Sequence, residues 1–342
     1  MDYTMFLTRG AGFMSGNNYS GLQTADHGVD VIRLADEDNG VEVLIAPSLG
    51  NRAYAMNVHG SNILHMPAAS IAELRELSGI PFLAPWANRI PGGGFRANGK
   101  WYAFNETLGV LRMHPEHVAI HGMITASDRW QVVAVGADAE SAWVTSRFEF
   151  WRYPDLMANW PFAHEYEMTY RLAKGQLETF VKVRNLSSDT MPVVIGFHPY
   201  FTIPGVPRDT CAAHIPARTS VVVDEKLCAT GEMRANTLPD PTPLATNTLD
   251  DGFTDLIRET DGLATFWLEG GGRRVEVVFG PKWQVGIVYA PRGHEYICFE
   301  PMAAITNGVN LAAEGKYGAL QTVEPGGEWS ESFRVRTTGF SR

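Results

Sequence analysis

Cysteine is scarce: Cys211, Cys228 and Cys298 are the three in 342 residues, and no two share a CxxC spacing. An odd, scattered set argues against a disulfide scaffold and a cysteine-built zinc site, and it fits a reducing cytoplasm. Basic charge is short as well. Lys and Arg number 28 against 38 Asp and Glu, so the formal charge is −10, with no Lys/Arg run anywhere. Nucleic acid needs a concentrated basic surface, so it is not an expected partner. Long apolar runs are missing too. Nothing approaches the about 20 consecutive apolar residues of a membrane helix, so a membrane is not an expected partner either. The opening MDYTMFLTRGAGFMSG lacks a basic start followed by an apolar run and does not read as a secretory signal. Charged residues are 19% and hydrophobic ones 45%, which excludes disorder and leaves enough apolar chain for a sizeable core.

What the chain does have is punctuation and aromatics: 34 Gly, 20 Pro, 17 Phe, 11 Tyr and 9 Trp, a mixture that favours strands and turns. Period-two alternation recurs. Residues 29–34 and 41–45 flank Asp38-Asn39-Gly40, and 95–97 and 100–104 flank Asn98-Gly99, so each pair reads as a hairpin. A third hairpin turns at Lys174-Gly175 between 165–172 and 177–184. Further strands are expected at 143–150, 265–268, 274–279, 285–289, 296–299 and 332–335, and a single short helix at 70–77. The fold class is therefore all-β, a large antiparallel β-sandwich. No linker or repeat divides the chain, so residues 1–342 read as one domain, with a split within 205–250 as the alternative.

Four polar stretches interrupt the strands. Trp86-Ala87-Asn88-Arg89 sets an amide and a guanidinium beside an aromatic face, a combination suited to a sugar. Gly92-Gly93-Gly94 follows without Gly-Lys-Ser/Thr, so it is not a phosphate loop. His114, His117 and His121 stand at i, i+3 and i+7, a spacing that would suit a metal on a helix face, but Pro115 opposes the helix and no HExxH completes a hydrolase signature. In Gly196-Phe197-His198-Pro199-Tyr200-Phe201 the histidine is walled by aromatics and stiffened by proline, conditions for a positioned acid or base. Glu300 ends an apolar run before Pro301, an expensive place for a carboxylate unless it is paired or at a cleft. At reference pKa values of about 4.3 and about 6.5, Glu300 and His198 would hold opposite protonation states near neutrality.

In order, these stretches resemble the aldose 1-epimerase (galactose mutarotase) family: Asn88-Arg89-Ile90 with its Asn-Gly hairpin, His121-Gly122, the Thr169-Tyr170-Arg171-Leu172 to Asn185 hairpin, His198-Pro199-Tyr200-Phe201, Glu300-Pro301 and Glu324-Pro325-Gly326-Gly327. The similarity runs from about residue 41 to the C-terminus. It implies the family's β-supersandwich, with the sugar in an open cleft. It implies a reaction that interconverts the α and β anomers of a free aldose by ring opening, rotation about C1–C2 and reclosure. Residue by residue, Glu300 would be the base at the C1 hydroxyl and His198 the acid at the ring oxygen. Arg89, His121 and Asn88 would hold the sugar, and the family's sugar-binding aspartate falls on Asp250, with Asp251 competing. Gly122-Met123 and Gly196-Phe197 depart from the Gly-Gly and Asn-His of many galactose mutarotases, which points to a broader branch of the family.

Bond cleavage at C1–O5 needs a proton removed on one side and delivered on the other, so neither a metal nor an organic cofactor is expected. The partner is a small monosaccharide, and the protein is expected as a monomer or homodimer. The alternatives are a non-catalytic sugar-binding sandwich, an epimerase of a phosphorylated sugar, and a metal isomerase built on His114, His117 and His121.

Overall fold

Both central residues of the turns Asn98-Gly99 and Lys174-Gly175 adopt positive φ (50° and 73°; 52° and 70°), the backbone that matches the twist of the flanking strands. The strands they join are Gly94–Ala97 with Lys100–Ala103 and His164–Ala173 with Gln176–Asn185. The Asn39-Gly40 turn likewise joins Val29–Asp36 to Val41–Ala46. The structure, a computed structural model, describes residues 18–115 and 117–341. The opening segment read above as no signal, and Glu116 of the His-Pro-Glu-His stretch, lie outside them.

Two large antiparallel sheets dominate. The nine-stranded one takes its central strand, Glu328–Thr338, from the end of the chain, paired between Gln176–Asn185 and Arg273–Phe279. The other sheet, of eight strands, runs in part Ala217–Val223, Leu249–Leu256, Val285–Ala290, Ile297–Met302, Gly196–Phe197 and Phe82–Leu83. A five-stranded meander, Tyr19–Asp26 to Ser61–Asn62, precedes them. Strict alternation places the apolar side chains inward, as in His164–Ala173, where Tyr166, Met168, Tyr170 and Leu172 are buried. The facing inner surfaces meet through aromatics: Phe266 packs on Phe299 at 5.8 Å and Phe333 on Phe197 at 5.0 Å. One hydrophobic cluster runs from Ile32 to Val335.

Two local expectations change. The helix over 70–77 is only a 3-10 turn, Ile71–Glu73. Its apolar spacing is met by docking Ile71 and Leu74 into a small satellite cluster with Val31 and Tyr54, and a stretch of eight residues has too few hydrogen bonds to hold a helix by itself. Pro301 does not end its strand, which continues to Met302. The partner ladder on one side is already interrupted at His198-Pro199, between the Tyr200–Cys298 and Gly196–Met302 pairs, so a missing N–H there costs little.

Candidate active site

Glu300 lies on Ile297–Met302, inside the eight-stranded sheet. Alternation decides its direction: Phe299 packs into the core against Phe201 and Phe266, so Cys298 and Glu300 point to the opposite face. His198 stands where the neighbouring strand breaks. Its N–H donates to the Pro81 carbonyl at 3.0 Å and the Tyr200 N–H to that of Gly79 at 2.9 Å, pinning the segment on both sides of Pro199. The outcome is a contact of 3.2 Å between His198 Nε2 and Glu300 Oε1, with both residues buried. Tyr200 stacks on the imidazole at 4.6 Å, and the His121 ring meets it edge-on at 5.4 Å.

Of the remaining expected residues, Asn88 and His121 arrive through strained loops, and Arg89 and Asp250 on strands. Asn88 and His121 both have positive φ (53° and 60°), and the His121 N–H donates to the Asn88 carbonyl at 2.9 Å. Gly122 must be glycine: its φ is 65° and a Cβ would lie 2.0 Å from the Ala84 carbonyl oxygen. The Arg89 N–H donates to Thr306 Oγ1 at 3.2 Å, and its carbonyl accepts from the Asn307 N–H at 2.9 Å. Asp250 pairs with Tyr289 across the sheet.

Glu300, His198, Arg89, Asn88, His121 and Asp250 all line one cleft of about 1070 Å³; Asp251, on the other face of its strand, does not. The aromatic wall differs from expectation. Trp86, placed by its neighbours beside a sugar, is fully buried in a core stack with Phe104 and Trp160, because a large apolar ring gains more there than at a wet surface. Tyr200, Tyr289 and Tyr296 line the cleft instead. Tyr296 shares the alternation of Cys298 and Glu300, a signal present in the sequence; Arg52 and Arg112, also in the lining, carried none.

Burial reshapes the protonation of the central pair. Loss of water pulls the His198 pKa down to about 3, with Arg112 and Arg89 adding to the effect. Loss of water pushes Glu300 well above the usual carboxylate range, with Asp250 raising it further and Arg89 opposing. Both shifts favour neutral partners, so the pair holds one proton between them rather than the fixed charges that reference values imply. Asp250 is exposed at the cleft wall, yet partial loss of water raises its pKa, with Arg89 opposing and Asp251 adding. His121 is held neutral by burial and by His198 and the two arginines. Glu300 Oε2 and His121 Nδ1 are buried without a protein partner in residues that line the cleft, so both are available to a ligand there.

The three histidines considered for a metal do not converge: His117 is exposed and bonded to Glu106 at 2.6 Å, outside the cleft that His114 and His121 line. His198, Cys298 and Glu300 each offer a ligand atom within 4.8 Å of the others. There, however, the imidazole and carboxyl already engage each other, and burial, with Glu300 beside it, holds the Cys298 thiol protonated.

The family model described as aldose 1-epimerase matches residues 50–336. The chain belongs to the aldose 1-epimerase family. Among curated proteins it is 28% identical over 145 residues to the uncharacterized protein YihR of Escherichia coli K12, spanning 42% of each chain. The chain thus matches about two fifths of the length of that relative. Among solved structures, a galactose mutarotase-like protein from Clostridium acetobutylicum superposes with a TM-score of 0.83 at 22% identity, covering 94% of this chain and 99% of that one. Galactose 1-epimerase from Lactobacillus acidophilus NCFM gives 0.70 at 16% identity, covering 94% and 98%. These likenesses establish the galactose mutarotase-like fold for this epimerase-family chain.

Proposed function

We propose that the protein is a mutarotase that interconverts the α and β anomers of a free aldose by acid–base ring opening. Glu300 takes the proton from O1 and His198 delivers one to O5; reclosure on the other face of C1 reverses the roles. Arg89, Asn88, His121 and Asp250 orient the hydroxyls. The observation that carries this reading is the buried His198–Glu300 contact of 3.2 Å at the floor of a cleft. A group pair sharing one proton can give and take protons at opposite ends of a reacting sugar, and each positioned group contributes about 10²–10⁴-fold. A pure binder needs neither an acid nor a base at that contact, so perturbed titratable groups placed in a cleft favour the catalytic reading.

The working unit in this reading is the whole chain as a single domain, as a monomer or homodimer. The three buried, unpaired cysteines fit a reducing compartment, so we assign it to the cytoplasm. The test is polarimetry of freshly dissolved α-anomers across hexoses, pentoses and deoxysugars. Acceleration of at least one sugar supports the reading. Calorimetric binding of a sugar with no acceleration of any would make the protein a carbohydrate-binding sandwich.

A further inference from the structure

Gly252 lies in the interior of Leu249–Leu256, and its φ is outside the left-handed region, so no turn calls for glycine there. A glycine inside a strand weakens it and marks a place where another group comes close. A Cβ on Gly252 would lie 3.1 Å from Ile287 Cδ1 and 3.4 Å from Val221 Cβ, and would take up the space beside them. That space is a chamber of about 20 Å³, walled by Val221, Val223, Leu227, Val285, Ile287 and Ile305.

Strand register fixes where the chamber stands. Glu300 pairs with Ile287, and Ile287 pairs with Gly252 on the next strand. Residues abreast in antiparallel strands present the same face. Their neighbours turn the other way: Phe299 packs on Phe266, and a Cβ on Gly286 would meet Phe266 Cζ at 2.5 Å. Ile287 and Gly252 therefore share the face of Glu300, with Gly252 two strand spacings, or about 10 Å, away. Asn88, Arg89 and Asp250 line both the chamber and the cleft, so the chamber is a side pocket of the cleft.

Its chemistry is unlike that of the cleft. Thr306, the polar residue at its far wall, is already engaged: Oγ1 accepts from the Arg89 N–H at 3.2 Å and donates to the Arg89 carbonyl at 3.3 Å. A trapped water needs two to four polar partners, which six aliphatic walls do not supply. A site for one water-sized group takes about 10–15 Å³, so the chamber holds a single heavy atom. A methyl group fits that size and polarity. A hydroxymethyl group is one atom larger and would bury its hydroxyl against aliphatic carbon.

We infer that the sugar taken by this cleft ends in a methyl group, as a 6-deoxyhexose does, and that the chamber beside Gly252 seats it. The inference rests on the mutarotase reading for the chemistry at C1 and names the substrate class of that site. The ring hydroxyls stay in the polar cleft while the methyl leaves water for the aliphatic walls. Remote from C1, the methyl makes the same contact in ground and transition states, so it acts on KM more than on kcat.

The experiment compares the 6-deoxy forms of galactose, glucose and mannose, in both D and L series, with the parent hexoses and with the pentoses that lack carbon 6. Anomer exchange and calorimetric affinity are measured in wild type, Gly252→Ala and Val221→Thr. The expected result, for at least one configuration, is a kcat/KM and an affinity at least about 10-fold higher for the 6-deoxy sugar than for both its hexose and its pentose. Gly252→Ala fills the chamber, and Val221→Thr sets a hydroxyl in its wall at nearly constant size; each lowers that advantage by at least about threefold. A ratio between sugars does not depend on the fraction of a variant that folds. An advantage below about 10-fold for every configuration, or one unmoved by both replacements, overturns the inference. Exchange of a hexose in that case leaves the mutarotase reading standing. Methyl-selective binding without exchange of any sugar would instead uphold the chamber and sink the mutarotase.

Discussion

A carboxyl and an imidazole 3.2 Å apart, both cut off from water, cannot each keep the charge it has in solution. With His198 drawn down to about 3 and Glu300 pushed up, the form present across neutral pH has one proton on the pair. The charged tautomer, carboxylate beside imidazolium, carries the same proton count, so no proton need come from solvent to reach it. This fixes the sign of the pH dependence. Activity is lost on the alkaline side as the pair gives up its only proton, above the usual carboxylate range. On the acid side it is lost only as a second proton is added, well below the ordinary imidazole value of 6.5. A kcat/KM profile of the free enzyme, taken where chemistry limits the rate, is expected to have its acid limb well below pH 6.5. An acid limb near 6.5 would mean that His198 takes up the second proton as an ordinary exposed imidazole. At this scale much was legible. Phe299 must face the core in an alternating strand, which turns Glu300 the other way, and a histidine between Phe197 and Pro199 is held wherever the chain puts it. What alternation does not carry is which two strands lie side by side, so the pairing of His198 with Glu300, and hence the exchange of their protonation preferences, became visible only in the fold.

At the scale of elements, strand interiors carry Glu300, Asp250 and Tyr289, and loops bring Asn88, His121 and His198 to them. The segment from Ala84 to Arg89 and the segment around His121 lock together through the His121–Asn88 and Met123–Ala84 backbone hydrogen bonds at 2.9 and 2.8 Å. Gly122 allows that approach. Gly122→Ala places a Cβ against backbone at 2.0 Å and demands a positive φ of 65° from an L side chain. It is expected to destabilise the protein by about 2 kcal/mol or more and to lower activity by displacing His121. Denaturant unfolding at neutral pH checks this; a loss under about 0.5 kcal/mol would mean the loop has room to relax. The hairpins were readable because Asn-Gly and Lys-Gly supply the positive φ that the turn requires. Trp86 was misread because its neighbours Asn88 and Arg89 are polar, while its own direction follows from a parallel bridge to Val194 that no local pattern encodes. Likewise the apolar spacing of 70–77 belongs equally to a helix and to a 3-10 turn docked on the neighbouring meander.

For the molecule as a whole, the same burial that tunes the site also makes folding sensitive to acid. His164 is fully buried, with Nδ1 donating to the Phe162 carbonyl at 2.6 Å, and burial draws its pKa down to about 4. The unfolded chain protonates this histidine near pH 6.5 and the native state only near 4, so between these values the unfolded state holds the extra proton. Stability is therefore complete above pH 6.5 and falls as the pH drops toward 4, by up to about 3 kcal/mol from this residue at about 1.36 kcal/mol per unit. In His164→Gln, unfolding free energies at pH 7 and pH 4.5 are expected to differ by about 2 kcal/mol less than in wild type; an unchanged difference would assign the acid sensitivity to other groups. The fold class was open to reading at this scale, since alternation, turn residues and aromatics all pointed to stacked antiparallel sheets. The placement of the last strand, Glu328–Thr338, in the middle of the nine-stranded sheet was not, because it depends on pairings with Gln176–Asn185 and Arg273–Phe279 far away in the chain.

The central claim is that the buried pair moves protons to and from a sugar, and Glu300→Gln tests it most directly, because the amide keeps the size of the carboxyl but cannot take a proton. The measurement is anomer exchange at equilibrium, by magnetisation transfer between the two anomeric protons of the preferred sugar, alongside calorimetric affinity for the same sugar. The account predicts a rate at least about 10²-fold lower with affinity within a few-fold of wild type. Exchange at close to the wild-type rate would remove Glu300 from the chemistry and contradict the account.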